Sequence, residues 1–139
     1  EAIKELDVEV KIYYKFHPID ESRNINITNH FKESNDTFKN LNETEIIITG
    51  MSSLALEGVC VGKFVINIPN EDTFNFTTIP KGISNLFWKN AYDDEDMKHF
   101  LKNYYQNRNN EFQKRNLESN KLLNHYFSFI AESKTLNLF

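Results

Sequence analysis

From Val8 to Phe16, apolar, β-branched and aromatic residues first alternate with polar ones and then merge into a run that stops at His17-Pro18. Proline offers no ladder donor and restricts the residue before it, so a first strand ending there is predicted. The Asn-rich stretch that follows predicts a short strand at Ile25 to Thr28 and a brief helix near Asp36 to Asn42. Glu45 to Thr49 holds three consecutive isoleucines and leaves no polar face, the pattern of a parallel strand covered on both sides. Gly50 breaks it, Ser52 or Ser53 offers an N-cap, Leu54, Ala55, Leu56 and Val59 read as helix body, and Gly62 as its stop. Lys63 to Ile68 predicts a second buried strand closed by Pro69, so Glu45 to Ile68 reads as one strand, helix, strand unit with a right-handed crossover.

Further along, Asn70 to Gly82 reads as a loop rich in Phe and Thr, and Ile83 to Trp88 as a short edge strand. Asp93 or Asp94 caps an amphipathic helix with Met97, Phe100, Leu101, Tyr104 and Tyr105 on its inner face. Arg108 to Asn110 interrupts that pattern, after which Phe112, Leu117, Leu122, Tyr126 and Ile130 predict a long final helix with an apolar tail. Strands alternating with helices predict an α/β layered sheet. The predicted organisation is one domain, residues 1–107, with a C-terminal helix at 108–139 packing on it.

Composition narrows the function classes. The 139 residues carry 16 basic and 20 acidic side chains, a formal net charge of -4, which disfavours a nucleic-acid surface or a basic membrane anchor. The single Cys60 excludes an internal disulfide and any Cys-pair zinc site, and between Val59 and Val61 it reads as a buried thiol in a reducing, cytoplasmic protein. No run approaches the length of a membrane span, and no basic segment leads an apolar one at the start. Glu1 to Leu6 looks like the end of a helix, so the chain reads as a piece of a longer protein. The sequons at Asn26, Asn35, Asn42 and Asn75 read as accidents of an Asn-rich composition.

Two groups of residues could carry chemistry. Lys15-Phe16-His17-Pro18 sits at the carboxyl end of the first strand, where open parallel sheets bind ligands, so a cation and an imidazole donor face the place an anion would occupy. Gly50-Met51-Ser52-Ser53 joins a buried strand to a helix, where free N–H groups, the positive dipole end and two hydroxyls suit a phosphate, and Gly50 allows close backbone approach. Glu57, one turn into the helix, is within reach of ribose hydroxyls. Each group also has an ordinary reading: a strand-end histidine, a serine cap and a solvated glutamate.

Together these residues resemble the donor-binding half of the bacterial GT-B glycosyltransferases that carry His-Pro and Ser-Ser motifs. These include sialyl- and polysialyltransferases, capsule and lipopolysaccharide transferases, and CDP-glycerol glycerophosphotransferases. The likeness runs from about Val8 to Phe100. Lys15 to Pro18 is similar to the family's Lys-x-His-Pro, Ile46 to Glu57 to its serine-pair stretch, and Gly62-Lys63-Phe64-Val65 to its Gly-Lys-Pro-Val. Gly50 stands where the glycerophosphotransferases usually have Asp, and Phe64 replaces the common Pro. The resemblance implies a Rossmann-like three-layer parallel sheet, the C-terminal half of the GT-B fold. It implies a metal-independent glycosyltransferase that builds bacterial surface polysaccharide. Its donor would be a CMP-, CDP- or UDP-linked sugar, with no other cofactor. His17 would be the catalytic group; Lys15, His17, Gly50, Ser52 and Ser53 would hold the donor phosphate, and Glu57 the ribose. An N-terminal acceptor domain of the same protein would complete the enzyme, leaving this piece inactive by itself. The expected location is the cytoplasm, with the missing part able to hold the protein at the inner face of the membrane.

Other motifs carry less. Gly58 to Lys63 spells Gly-x-x-x-Gly-Lys, one residue short of a Walker loop and followed by Phe64 where a hydroxyl is needed, so it reads as helix end and strand start. Asp94-Glu95-Asp96, with His99 at helical spacing, reads as a set of acids favoured by a helix dipole rather than as a metal site. His30, His99 and His125 share no spacing that suggests joint work. Two rival functions remain open: a UDP-sugar 2-epimerase-like domain, and a non-catalytic Rossmann-like assembly module.

Overall fold

A computed structural model describes residues 10–14, 31–33, 36–50, 52–69 and 78–127. The chain divides into two compact units, Glu1–Thr44 and Glu45–Phe139. In the first, β1 (Ile12–Tyr14) and β2 (Phe31–Glu33) pair in parallel with Ile12 opposite Phe31 and Tyr14 opposite Glu33. A short helix, α1 (Thr37–Glu43), follows close to the predicted Asp36 to Asn42, and Asp36 caps it, its carboxylate accepting the Lys39 N–H at 2.9 Å. The expected strand at Ile25 to Thr28 lies outside the described residues.

The second unit is mixed α/β with a small three-stranded parallel sheet of order β3 (Ile46–Thr49), β4 (Phe64–Asn67), β5 (Trp88–Asn90). The central strand β4 is buried at every position. Helix α2 (Leu54–Cys60) crosses between β3 and β4 and ends in a paired turn. The Gly62 N–H donates to the Val59 carbonyl (3.1 Å) and the Lys63 N–H to the Gly58 carbonyl (2.9 Å). This double bond pattern requires a left-handed residue, and Gly62 supplies it with φ of 78°. The Gly-x-x-x-Gly-Lys stretch is therefore helix end and strand start.

Successive strand residues face opposite sides, which sorts the layers. Ile47 and Val65 lie against Gly58 of α2, where a single added Cβ would strike the Ile47 Cδ1 methyl. Phe64, one residue away, points to the other face and stacks on Tyr104 of the long helix α3 (Asp94–Tyr126), with ring centroids 5.4 Å apart. Helices thus cover both faces of the sheet. Val59, Cys60, Val65, Ile66 and Phe87 are almost wholly buried, each apolar side chain contributing about 1.5–3 kcal/mol through removal from water. Burial raises the Cys60 thiol pKa above its ordinary value.

Four sequence expectations change. Ile48 is 42% exposed because β3 is an edge strand of this sheet, so its isoleucines are not all covered. The edge strand expected at Ile83 to Trp88 is displaced to β5. Ser84 starts a turn there: its carbonyl accepts the Phe87 N–H (3.0 Å) and its Oγ the Leu86 N–H (3.2 Å). The break expected at Arg108 to Asn110 is absent: α3 runs 33 residues without interruption, across the expected boundary at 107/108. No Pro or Gly lies between Asp94 and Tyr126 to stop it, and Asn costs little in a helix. Finally, the inner face of its second half carries Arg115 and Ser119, while Phe112 and Leu117 are exposed. At about 100° per residue, Arg115 sits roughly 20° from the azimuth of Tyr104, whereas Leu117 falls on the far side.

Candidate functional site at the carboxyl edge of the sheet

The three strands of the second unit are parallel, so their carboxyl ends meet along one edge, the place where such sheets accept ligands. Gly50 follows β3 there, and the chain returns through Ser52 and Ser53 into α2. Ser53 occupies the cap position, but its side chain makes no cap bond; the capping is done by Ser52, whose Oγ accepts the Leu54 N–H at 3.3 Å. Ser52 is half-buried and Ser53 exposed, which leaves the latter hydroxyl facing solvent at the helix start. Gly50 is not sterically required: an added Cβ would make ordinary contact with the Ile68 carbonyl oxygen at 3.6 Å. Glu57 is half-buried in the first turn of α2, where the helix dipole favours a carboxylate.

The same edge holds three residues that the sequence reading missed. Asn67, nearly buried at the end of β4, pairs in register with Asn90 at the end of β5, and its Nδ2 donates to the Asn90 Oδ1 at 2.9 Å. Asn90 passes the polarity on, its Nδ2 donating to the Tyr92 hydroxyl at 3.4 Å. The available signal was an asparagine closing two short segments, the apolar Val65-Ile66-Asn67 and the mixed Trp88-Lys89-Asn90. Gly50, Ser52, Ser53, Asn67, Asn90 and Tyr92 thus give the edge hydroxyl and amide donors suited to a polar or anionic ligand.

Lys15, His17 and Met51 lie outside the described residues, so the expected meeting of imidazole and serine pair has no counterpart in the described geometry. The sequence reading also assigns both motif-bearing strands to one sheet; among the described residues, β1 pairs with β2 and β3 with β4, in two sheets. The acids at the start of α3 act on the helix itself. Asp93 Oδ1 accepts the Asp96 N–H (2.8 Å), and Asp96 Oδ2 accepts the Tyr92 N–H (3.0 Å). Among the described residues no group of three His, Cys, Asp or Glu side chains is gathered for a metal.

The amino edge of the sheet is more highly charged. Glu45 accepts from the Tyr104 hydroxyl on Oε2 at 3.0 Å and from the Arg108 guanidinium on Oε1. Burial first, then the Glu45 charge and hydrogen bond, push the Tyr104 hydroxyl pKa far above its ordinary value. Burial lowers the Lys63 pKa, with Glu45 acting in the opposite sense. These groups lie at the end of the strands opposite to the serine pair and read as the structural tie between β3 and α3. No helix of the described residues is long and apolar enough to cross a membrane. No protein-family model, curated protein or solved structure matches the chain, so its chemistry has to be read from its own residues.

Proposed function

We propose that this chain holds the nucleotide-sugar donor-binding part of a GT-B-like, metal-independent glycosyltransferase that builds bacterial surface polysaccharide, working in the cytoplasm with an acceptor domain from the same protein. The observation that carries the reading is the parallel β3, α2, β4 unit, whose connection brings Ser52 and Ser53 to the carboxyl edge beside the Asn67 and Asn90 amides. A Rossmann-like three-layer sheet is compatible with helices on both faces of these strands. In the proposed reaction, negative charge grows on the leaving nucleotide as the glycosidic bond breaks. Serine hydroxyls, first-turn N–H groups, His17 and Lys15 stabilise that charge, and Glu57 holds the ribose.

Calorimetry with CMP, CDP and UDP tests the reading on the intact chain. Saturable binding of at least one, weakened about tenfold or more by a Ser52→Ala/Ser53→Ala double substitution, is expected, since each lost hydrogen bond to a charged phosphate is worth about 1.5–3 kcal/mol. His17→Ala weakens it further. A folded chain that ignores all three nucleotides refutes the donor-binding role and leaves the assembly-module reading. Preference for UDP, with epimerisation of a UDP-N-acetylhexosamine by the whole protein, assigns the 2-epimerase-like reading instead.

A further inference from the structure

A cleft of ≈ 370 Å³ opens along α3 on the face of the sheet away from α2. Its apolar wall is made by Phe64, Leu86, Phe100 and Tyr104. The volume is at the lower end of the range that small-molecule sites occupy, enough for one or two rings. Asn85, Asn103 and Asn107 also line it; the Asn103 Nδ2 bonds the His99 Nε2 (2.8 Å) and the Asn107 Nδ2 donates to the Asn103 carbonyl (3.1 Å), which leaves their side-chain oxygens and the Asn85 amide toward the cleft.

The charges in and behind the wall are unbalanced. Lys89 lines the cleft from the middle of β5, opposite the fully buried Ile66, and its ammonium has no ion pair or hydrogen bond among the described residues. The carboxylate lining it, Glu111, is already held by Arg115, whose Nη1 lies 3.3 Å from Oε2. Arg115 itself is 0% exposed, and its Nε and Nη2 have no hydrogen-bond partner. Its guanidinium carbon is 5.0 Å from the Tyr104 ring centroid and 5.7 Å from that of Phe64, so Phe64, Tyr104 and Glu111 are shared between cleft and arginine. Glu111 and Arg115 cancel, and Lys89 is left over. A buried guanidinium with open N–H groups is costly unless acceptors reach it.

We propose that this cleft is a binding site for a small aromatic anion: one or two rings against Phe100 and Leu86, and an oxyanion head, carboxylate or phosphate, at Lys89. Flat rings match the half-buried Phe100 and Leu86, with only the edges of the buried Phe64 and Tyr104 behind them, and a single negative charge matches the surplus on Lys89. The site is on the face of the sheet, separate from the carboxyl edge of the nucleotide reading, and each can fail without the other.

The test is a heteronuclear NMR titration of the ¹⁵N-labelled chain with 2-naphthoate, 1-naphthyl phosphate and the neutral 2-naphthalenemethanol. Saturable shifts at the Leu86, Lys89, Phe100 and Asn103 amides are expected with one or both anions, and which anion saturates first identifies the head group. The neutral ring binds about tenfold more weakly, and Lys89→Gln brings the anions down to its level while Lys89→Arg retains them. A folded chain without saturable shifts in the millimolar range overturns the proposal. So do equal affinities for the anionic and neutral rings, an unchanged affinity in Lys89→Gln, or shifts confined to Gly50 through Leu54.

Discussion

Gly58 sits where α2 comes closest to the sheet, and replacing it with Ala sets two opposing terms against each other. The gain is intrinsic: Ala in a helix interior is favoured over Gly by about 1 kcal/mol. The loss is local, because the new Cβ collides with Ile47 Cδ1 and lies 3.4 Å from Val65 Cγ2, and overpacking of this kind costs about 1–3 kcal/mol. Ile47 is 8% exposed and Val65 wholly buried, so neither has open space to retreat into. Gly58→Ala is therefore expected to destabilise the chain by about 0–2 kcal/mol, the overpacking less the propensity gain. Ile47→Val removes the colliding methyl and by itself costs about 0.5–1.5 kcal/mol. In the double variant the Ala methyl occupies the vacated space, the collision vanishes and the propensity gain survives. Its destabilisation should fall at least about 1 kcal/mol short of the sum of the singles. Urea unfolding, followed by fluorescence of Trp88 in β5 and by far-ultraviolet circular dichroism, measures all four corners of the cycle with a shared slope. Singles that add to within about 0.5 kcal/mol refute the argument that the seam between α2 and β3 is closed by these atoms, and with it the packing that aims the serine pair.

Tyr104→Phe should cost about 1 kcal/mol at neutral pH for the lost Glu45 hydrogen bond, and should flatten the alkaline decline in stability. The Tyr104 pKa is higher folded than unfolded, so its contribution is complete below the ordinary 10.0 and is lost as pH climbs above it. Tyr105 and Cys60 are also raised and act in the same sense, whereas the lowered Lys63 acts oppositely; urea midpoints from pH 7 to about 11 compare the slopes, and identical slopes in both proteins refute the assignment. Gly62→Ala should cost about 1–2 kcal/mol by thermal unfolding, because φ of 78° is unfavourable for a side chain and the new Cβ would lie 2.8 Å from Asn116 Oδ1. Adding Asn116→Ala should recover only a minor part of that loss, and full recovery would show that contact rather than backbone strain sets it.

What the chain discloses by itself follows from the range of the forces involved. The brief helix near Asp36 to Asn42, the Gly62 stop and the β3, α2, β4 unit rest on neighbours a few residues apart, and they stand where the pattern puts them. The exposure of Ile48 depends on strand order, which no local pattern encodes. The Asn67 to Asn90 bond joins residues 23 apart and exists only because the register aligns them. Arg115 is the hardest case: a charged residue on a polar stretch of helix reads as solvated, yet two aromatic rings and Glu111 enclose it. Of the expected site, Gly50, Ser52, Ser53 and Glu57 stand around one strand-to-helix connection, while Lys15 and His17 fall outside the described residues.

The unbroken length of α3 has a mechanical corollary. Thirty-three residues make a rod of roughly 50 Å, whereas β4 spans roughly 13 Å, and beyond Ser119 the last turns of the rod carry no buried residue and overhang. Without a joint along its course, a pull or twist at Leu123 or Tyr126 is delivered whole to Asn116 and Ser119 beside Gly62, and to Arg108 on Glu45. The overhang works as a tiller, and the end of the sheet remote from the serine pair is the first to feel the hand on it.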